Sequence, residues 1–273
     1  MLNTEKRNPK TMNIDKMSSI EMARVIQDEN YNAVRAIDTE LETIAAAIDA
    51  ITERMQRGGR LFYTGCGTSG RLGVLDASEC PPTFGVDYDT VIGIMAGGDK
   101  ALRRATENAE DNAMAGRRDL SEYKITENDS VVGISVAGGA AYVVGALEYA
   151  KERGALTVAL TCNANSKIEL IADIAIHPDT GAEVITGSSR MKAGSAHKMI
   201  LNMISTSVMV KLGYVYENLM INLKPSNVKL ECRMVRIVSD IVGCDEQKAR
   251  RLLDENDWVI RRAIEASDKN NQN

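Results

Sequence analysis

The sequence predicts an α/β fold: a three-layer α/β/α sandwich around a five-stranded parallel sheet, with helices before it and a small helical segment after it. Three observations lead there. Five short apolar runs recur through the middle of the chain, glycines follow the first three, and helix-compatible stretches separate the runs. Apolar runs alternating with helices bury both faces of a parallel sheet. Ligands of such sheets sit outside the carboxyl ends of the strands, where the glycine turns lie.

In chain order, residues 1–17 are polar, carry Pro9 and read as an extended arm. Ser18 or Ser19 opens a helix, with Glu21 in its first turn where a negative charge suits the helix dipole. Ala33, Ile37, Leu41, Ile44, Ile48, Ile51 and Met55 recur at spacings of three and four and predict a second helix that stops at Gly58-Gly59. RLFYTG (60–65), TVIGIMAGG (90–98), SVVGISVAGG (130–139), ALTVALTCN (155–163) and IADIAIHP (171–178) supply the strands. Helices are expected from about Asp99 to Ala115, from the third turn to about Arg153, and from about Ser189 to Leu212. The last of these carries Met199, Ile200, Met203, Ile204 and Val208 on one stripe. A boundary near Pro225 separates a main domain, 1–225, from a helical appendage, 226–273, broken at Gly243.

Composition narrows the chemistry. Of 273 residues, 44% are hydrophobic and 26% charged, which is ordinary globular usage. Aromatics make up 4% and the formal net charge is −5, so neither base stacking nor a basic field favours nucleic acid. No uninterrupted apolar run of about 18 residues predicts a membrane span, and the N-terminus lacks the apolar core of a signal peptide. Five cysteines without a CxxC spacing predict reduced thiols in a cytoplasmic protein. With only His177 and His197, histidine-based hydrolysis and zinc sites are poorly served, and carboxylates are left to move protons.

Gly65-Cys66-Gly67-Thr68-Ser69-Gly70 matches GxGxxG, but the run at 90–98 lacks the acidic residue a dinucleotide fingerprint requires. Thr68 and Ser69 place hydroxyls beside amides at a helix start, which suits a compact monophosphate. The alternative is a turn needed only for tight strand–helix geometry. A second polar cluster, Thr186-Gly187-Ser188-Ser189-Arg190-Met191-Lys192, reads equally as an anion site and as an ordinary helix cap with solvated charges. Glu79 precedes Pro81-Pro82, which are expected to end the helix there and fix the carboxylate at a corner, although position alone favours a solvated surface charge over a catalytic group. Glu107 and Glu110 lie one turn apart on the helix expected after the second strand, and spacing alone does not separate them from a charged helix face.

The blocks TEKRNPKTMNID, GCGTSGRLGVLDASECPPTFG, AGGDKALRRATENAED and GAEVITGSSRMKAGSAHK resemble the N-acetylmuramic acid 6-phosphate etherases, within the wider sugar isomerase (SIS) superfamily. The resemblance runs through about 1–225. It implies a flavodoxin-like five-stranded SIS sheet and a cytoplasmic homodimer that needs no metal or organic cofactor. The implied substrate is a small sugar phosphate, cleaved at its D-lactyl ether. By motif position the catalytic pair falls on Glu110, the base at C2, and Glu79, the acid at the departing lactate oxygen. Glu107 is then a decoy. One carboxyl must be ionised while the other is protonated. The phosphate falls to Gly67, Thr68 and Ser69, to Gly138 and Gly139, and to Ser188, Ser189 and Lys192.

The third turn departs from that pattern. Where the resembling enzymes read ASGRTPY, this chain reads Val136-Ala137-Gly138-Gly139-Ala140-Ala141-Tyr142. Two hydroxyls, an arginine and a proline are missing. Cys66 replaces a small residue, His197 stands at a usual glutamine, and the tail is short. The altered turn keeps two alternatives open: a sugar-phosphate regulator without catalysis, and an aldose–ketose phosphate isomerase.

Overall fold

Short β-rich apolar runs and glycine turns place the sheet where the alternation predicts it. The computed structural model describes residues 2–104, 106, 108–225 and 227–270. Strands β1 (Leu61–Gly65), β2 (Val91–Met95), β3 (Ser130–Ile134), β4 (Leu156–Leu160) and β5 (Ile174–Ile176) form a five-stranded sheet in the order β2-β1-β3-β4-β5, parallel throughout. Every residue of β1, β3 and β4 is buried, as a sheet covered on both faces requires. Gly65 pairs with Ile134, so the turns that follow β1 and β3 start at the same level of adjacent strands.

The helices are α1 (Ser19–Asp38), α2 (Leu41–Gln56), α3 (Gly67–Phe84), α4 (Lys100–Arg103), α5 (Ala113–Ser121), α6 (Ala141–Glu152), α7 (Lys167–Ile171) and α8 (Lys192–Lys211). Two compact units divide the chain. One is Met1–Ser78 with Asp89–Val208, and the other is Glu79–Tyr88 with Met209–Asn273. The first contains the sheet; Phe62, Val131, Val143, Leu147 and Ala159 lie at the centre of one of its clusters. The second holds a two-stranded ribbon, β6 (Val215–Tyr216) and β7 (Leu219–Met220), with α9 (Val228–Val242), α10 (Glu246–Asp254) and α11 (Ile260–Asn270). Its core is Met234, Val238, Leu253, Ile260 and Ala263. The second unit therefore begins well before Pro225, and the ribbon carries no signal in the sequence. Among the described residues no helix is long and apolar enough to cross a membrane.

Four local expectations are corrected. The arm is not extended: 3-10 turns at Asn3–Glu5, Pro9–Thr11 and Ile14–Lys16 shape it, and Thr4, Asn8 and Thr11 are buried. The stripe from Ala33 to Met55 straddles two helices, because Leu41, in its middle, is exposed and the chain breaks at Thr39-Glu40. The helix expected over 99–115 is interrupted: Asn108 adopts a left-handed φ of 57°, and the Asn112 side chain accepts from the Ala115 amide to start α5. Finally, α3 continues through Pro81 and Pro82. Both prolines fall in its last turn, and the helix ends instead at Gly85, whose amide donates to the Pro81 carbonyl and whose φ is +64°. A side chain there would meet the Asn222 carbonyl at 1.7 Å, so glycine is required.

Candidate functional site

Glycine sets the first turn. A Cβ on Gly70 would lie 2.6 Å from the Gly65 carbonyl oxygen, so α3 starts hard against the end of β1. Gly67 opens α3 with a φ of +53°, Thr68 is half-buried and Ser69 is buried. No acidic residue occupies the first turn of α3, so nothing there competes for an anion. Deeper in the helix, Asp76 is buried and accepts from Asn202 Nδ2 at 2.6 Å and Ser205 Oγ at 3.2 Å, which ties α3 to α8. Burial raises the Asp76 pKa, against bonds from Tyr63, Ser205 and Asn202 that lower it.

Beside this turn lies a cavity of about 260 Å³ at the carboxyl ends of β1 and β2. Cys66, Gly67, Arg71, Thr106, Asn108 and Glu110 are among its lining residues. Glu110 is exposed on a 3-10 turn, Ala109–Asp111. Arg71 reaches across to the carbonyls of Ala101 and Leu102, at 2.7 and 3.0 Å, and fixes the wall. Burial, and after it the charges of Glu110 and Asp111, push the Cys66 thiol up to about 12, so it stays protonated and is no nucleophile. Glu79 is exposed near the end of α3, in the residues of the second unit. Glu107 lies outside the described residues.

The third turn is fixed from outside, without polar side chains of its own. The Val136 carbonyl accepts three donors: the Cys162 amide at 2.9 Å, Thr161 Oγ1 at 3.0 Å and Asn163 Nδ2 at 2.9 Å. Gly138 has a φ of +68° and its Cβ would strike Ser166. Its amide donates to the Ser135 carbonyl and its own carbonyl accepts from Ile168. Gly138 therefore shapes the turn, and its N–H is already engaged. Gly139 is exposed, with open space where a side chain would project.

The polar cluster before α8 differs most from expectation. Ser188 and Ser189 are half-buried, and Gly194 packs beside Thr68, whose methyl is 3.6 Å from a Cβ placed there, so this cluster and the first turn meet. Lys192, expected at a phosphate, is 2% exposed and its ammonium is bonded to Glu29 Oε2. Lys10 Nζ and Asn8 Nδ2 complete that carboxylate, at 3.0 and 2.8 Å. Burial raises the Glu29 pKa, but Lys192, Lys10 and Asn8 outweigh it and hold it at about 2. Both oxygens of buried Glu183 cap α8, accepting from the amides of Lys192 and Ala193 at 3.1 and 3.0 Å. The charge and the helix-end donors that pointed to an anion are thus engaged within the protein. What remains open is hydroxyl, and exposed Arg190.

Comparison with known proteins supplies the rest. Residues 43–151 match the glucokinase regulatory protein N-terminal SIS domain, and residues 115–210 match the SIS domain. The chain is 54% identical to an N-acetylmuramic acid 6-phosphate etherase of Caldanaerobacter subterraneus subsp. tengcongensis, over 96% of this chain and 85% of that protein. It is 51% identical to the etherase of Clostridium beijerinckii, over 96% and 86%. Among solved structures it is similar to a putative phosphosugar isomerase involved in capsule formation from Bacteroides fragilis NCTC 9343 (TM-score 0.54, 20% identity, covering 72% of this chain and 94% of that one). A phosphoheptose isomerase from Francisella tularensis has the same fold (TM-score 0.53, 17% identity, 71% and 100%).

Proposed function

The chain belongs to the N-acetylmuramic acid 6-phosphate etherase family, and from that premise we propose how its residues cleave the D-lactyl ether to give N-acetylglucosamine 6-phosphate and D-lactate in cell-wall amino-sugar recycling. An ether is a poor electrophile. With the sugar open, the C1 aldehyde acidifies the C2 proton. Glu110 takes that proton; the electron pair forms the C2–C3 double bond as the C3–O bond breaks, and Glu79 protonates the departing lactate oxygen. Water then adds at C3 and a proton returns to C2, so no net proton is consumed. Each transfer is worth about 10²–10⁴ in rate.

The observation that supports this reading best is the shared cavity: Glu110 and the Gly67 end of the first turn line the same space. Phosphate held by Thr68 and Ser69, with help from Ser188, Ser189 and Gly139, lies remote from the bond broken and supplies orientation. Lys192 and Gly138 support those contacts from behind. Incubation with N-acetylmuramic acid 6-phosphate and assay of D-lactate tests the function: a regulator or an aldose–ketose isomerase releases none.

We also propose a cytoplasmic homodimer. Cys66, Cys162, Cys232 and Cys244 are unpaired thiols, as a reducing compartment favours. The α8 stripe offers little free apolar surface, since Ile200, Ile204 and Val208 are fully buried and Met199 and Met203 are half-buried. The candidate surface is instead on α1, where Ile20, Tyr31 and Val34 are more than half exposed. Light scattering that finds only monomer, with activity intact, removes the dimer.

A further inference from the structure

The segment from Asp179 to Ser189 joins β5 to α8 and has no helix or strand of its own. Its tip buries little: Ile185, Thr186 and Gly187 are exposed. The tip itself has little to offset the entropy of fixing its backbone, which costs about 1–2 kcal/mol per residue, although Glu183 and Val184 just before it are buried. Yet the loop carries Ser188 and Ser189.

Glu183 anchors it to the start of α8, and further bonds along its length come from the opposite end of the chain. Asn3 Nδ2 donates to Asp179 Oδ2 at 2.9 Å, Asn8 Nδ2 to the Ala182 carbonyl at 3.2 Å, and Thr11 Oγ1 to the Val184 carbonyl at 2.8 Å. Thr4 Oγ1 accepts from Asn163 Nδ2 at 3.1 Å, which joins the arm to the residue that also grips Val136. The arm is thus bonded along the loop at successive points, with Thr4, Asn8 and Thr11 buried. The far end of the loop is pinned by the same arm through a charge. Asn8 and Lys10 bind Glu29, and Glu29 binds Lys192 in the first turn of α8.

We propose that Asn8, Thr11 and the buried Glu29–Lys192 pair are positioning residues for the Ser188–Ser189 turn, so that the N-terminal arm sets the grip on the substrate phosphate without touching it. This rests on the etherase reading for the identity of the substrate. The arm residues act only through the loop, so their loss weakens ground state and transition state alike, and the effect belongs in KM.

The test uses the full chain with Thr11→Val, which keeps shape and removes the donor, Asn8→Ala, and the two combined. Glu29→Gln is a harsher variant that leaves the Lys192 ammonium buried and unpaired and can prevent folding; the conclusion does not depend on it. For the double variant we expect KM for N-acetylmuramic acid 6-phosphate to rise about tenfold, with kcat changed less than about twofold. Amide hydrogen exchange should speed at least about tenfold over 180–195, with the sheet unchanged. An unchanged KM overturns the proposal, and so does faster exchange spread evenly over the chain, which marks general destabilisation. If the unmodified protein releases no D-lactate, the etherase reading falls; the exchange comparison over 180–195 then decides the arm's role by itself.

Discussion

The turns after β1 and β3 leave neighbouring strands at the same level, and each is fixed by glycine, yet they carry opposite chemistry. The first sets Thr68 and Ser69 at the start of an 18-residue helix free of acid in its first turn. The second presents no hydroxyl between Val136 and Ala141, and its backbone is fixed by three donors on one carbonyl. Backbone geometry and binding chemistry are therefore separable. A turn keeps its shape through glycine and main-chain bonds after the side chains that would grip a ligand are gone. On the proposed reading the first turn carries the phosphate, and the second adds only the Gly139 backbone.

That division holds only if the first turn binds and the reaction is run by neither turn. Glu110→Gln and Glu79→Gln should each lower D-lactate release by about 10²–10⁴ while the protein stays folded. Glu110→Gln should also lose exchange of the substrate C2 proton in deuterated water. Near-normal turnover in either variant refutes the role given to that carboxylate.

The next effect separates the turns directly. Hydrogen bonds to a charged group are worth about 1.5–3 kcal/mol. Ser69→Ala should therefore raise KM about tenfold to a hundredfold, with kcat changed much less. The second turn has no hydroxyl to remove, and a methyl added at Gly139 meets open space, so Gly139→Ala should leave KM nearly unchanged. Equal sensitivity of the two turns, measured by substrate titration of Ser69→Ala and Gly139→Ala, would abolish the contrast.

How legible the molecule is in its sequence depends on what makes each element. The strands announce themselves because β1, β3 and β4 are buried on both faces and read as unbroken apolar runs. The Ser18 cap is equally plain: its amide donates to Glu21 Oε2 at 2.8 Å, a local pairing three residues apart. The cluster before α8 misleads for the opposite reason. Lys192 finds Glu29 across 163 residues of sequence, and Glu183 caps α8 from nine and ten residues away. A lysine beside serines looks the same whether its partner is a ligand or a buried carboxylate. Pro81 and Pro82 mislead because a proline removes only its own amide donation: the Pro81 carbonyl still accepts from Gly85, so one last turn closes after them.

Restoring chemistry to the second turn should have a smaller effect than removing it from the first. Ala137 is exposed, so a serine fits; Ala140 is half-buried against the core cluster, so a threonine there has less room. Ala137→Ser with Ala140→Thr should lower KM several-fold, at about 0.5–1.5 kcal/mol for each contact realised, with kcat little changed. No gain in affinity would mean that the turn stands too far from the phosphate for any side chain to matter.

The smallest effect on activity is expected behind the second turn. His197 is fully buried on α8, with Nε2 3.3 Å from Cys162 Sγ, and the Cys162 amide is one of the three donors on Val136. Burial lowers the His197 pKa to about 4, against a bond with the Thr161 backbone that raises it, so the ring is neutral at neutral pH. Above about pH 6.5 folded and unfolded chains are both neutral at this residue, and it contributes no pH dependence. As pH falls below about 6.5 the unfolded chain takes up the proton first. Stability is then lost at up to about 1.4 kcal/mol per pH unit until the folded pKa is reached, a total of about 3 kcal/mol. Glutamine, which the resembling enzymes carry here, does not titrate. His197→Gln should leave D-lactate release at neutral pH within about twofold and lose less stability than the unmodified protein between about pH 7 and about pH 5, by about 2 kcal/mol in urea unfolding. Equal losses would place a proton on the folded ring and contradict its burial. A raised KM in the variant would be the more instructive failure, because it would show that the 161–163 segment, and not the turn's own residues, sets how the second turn meets the substrate.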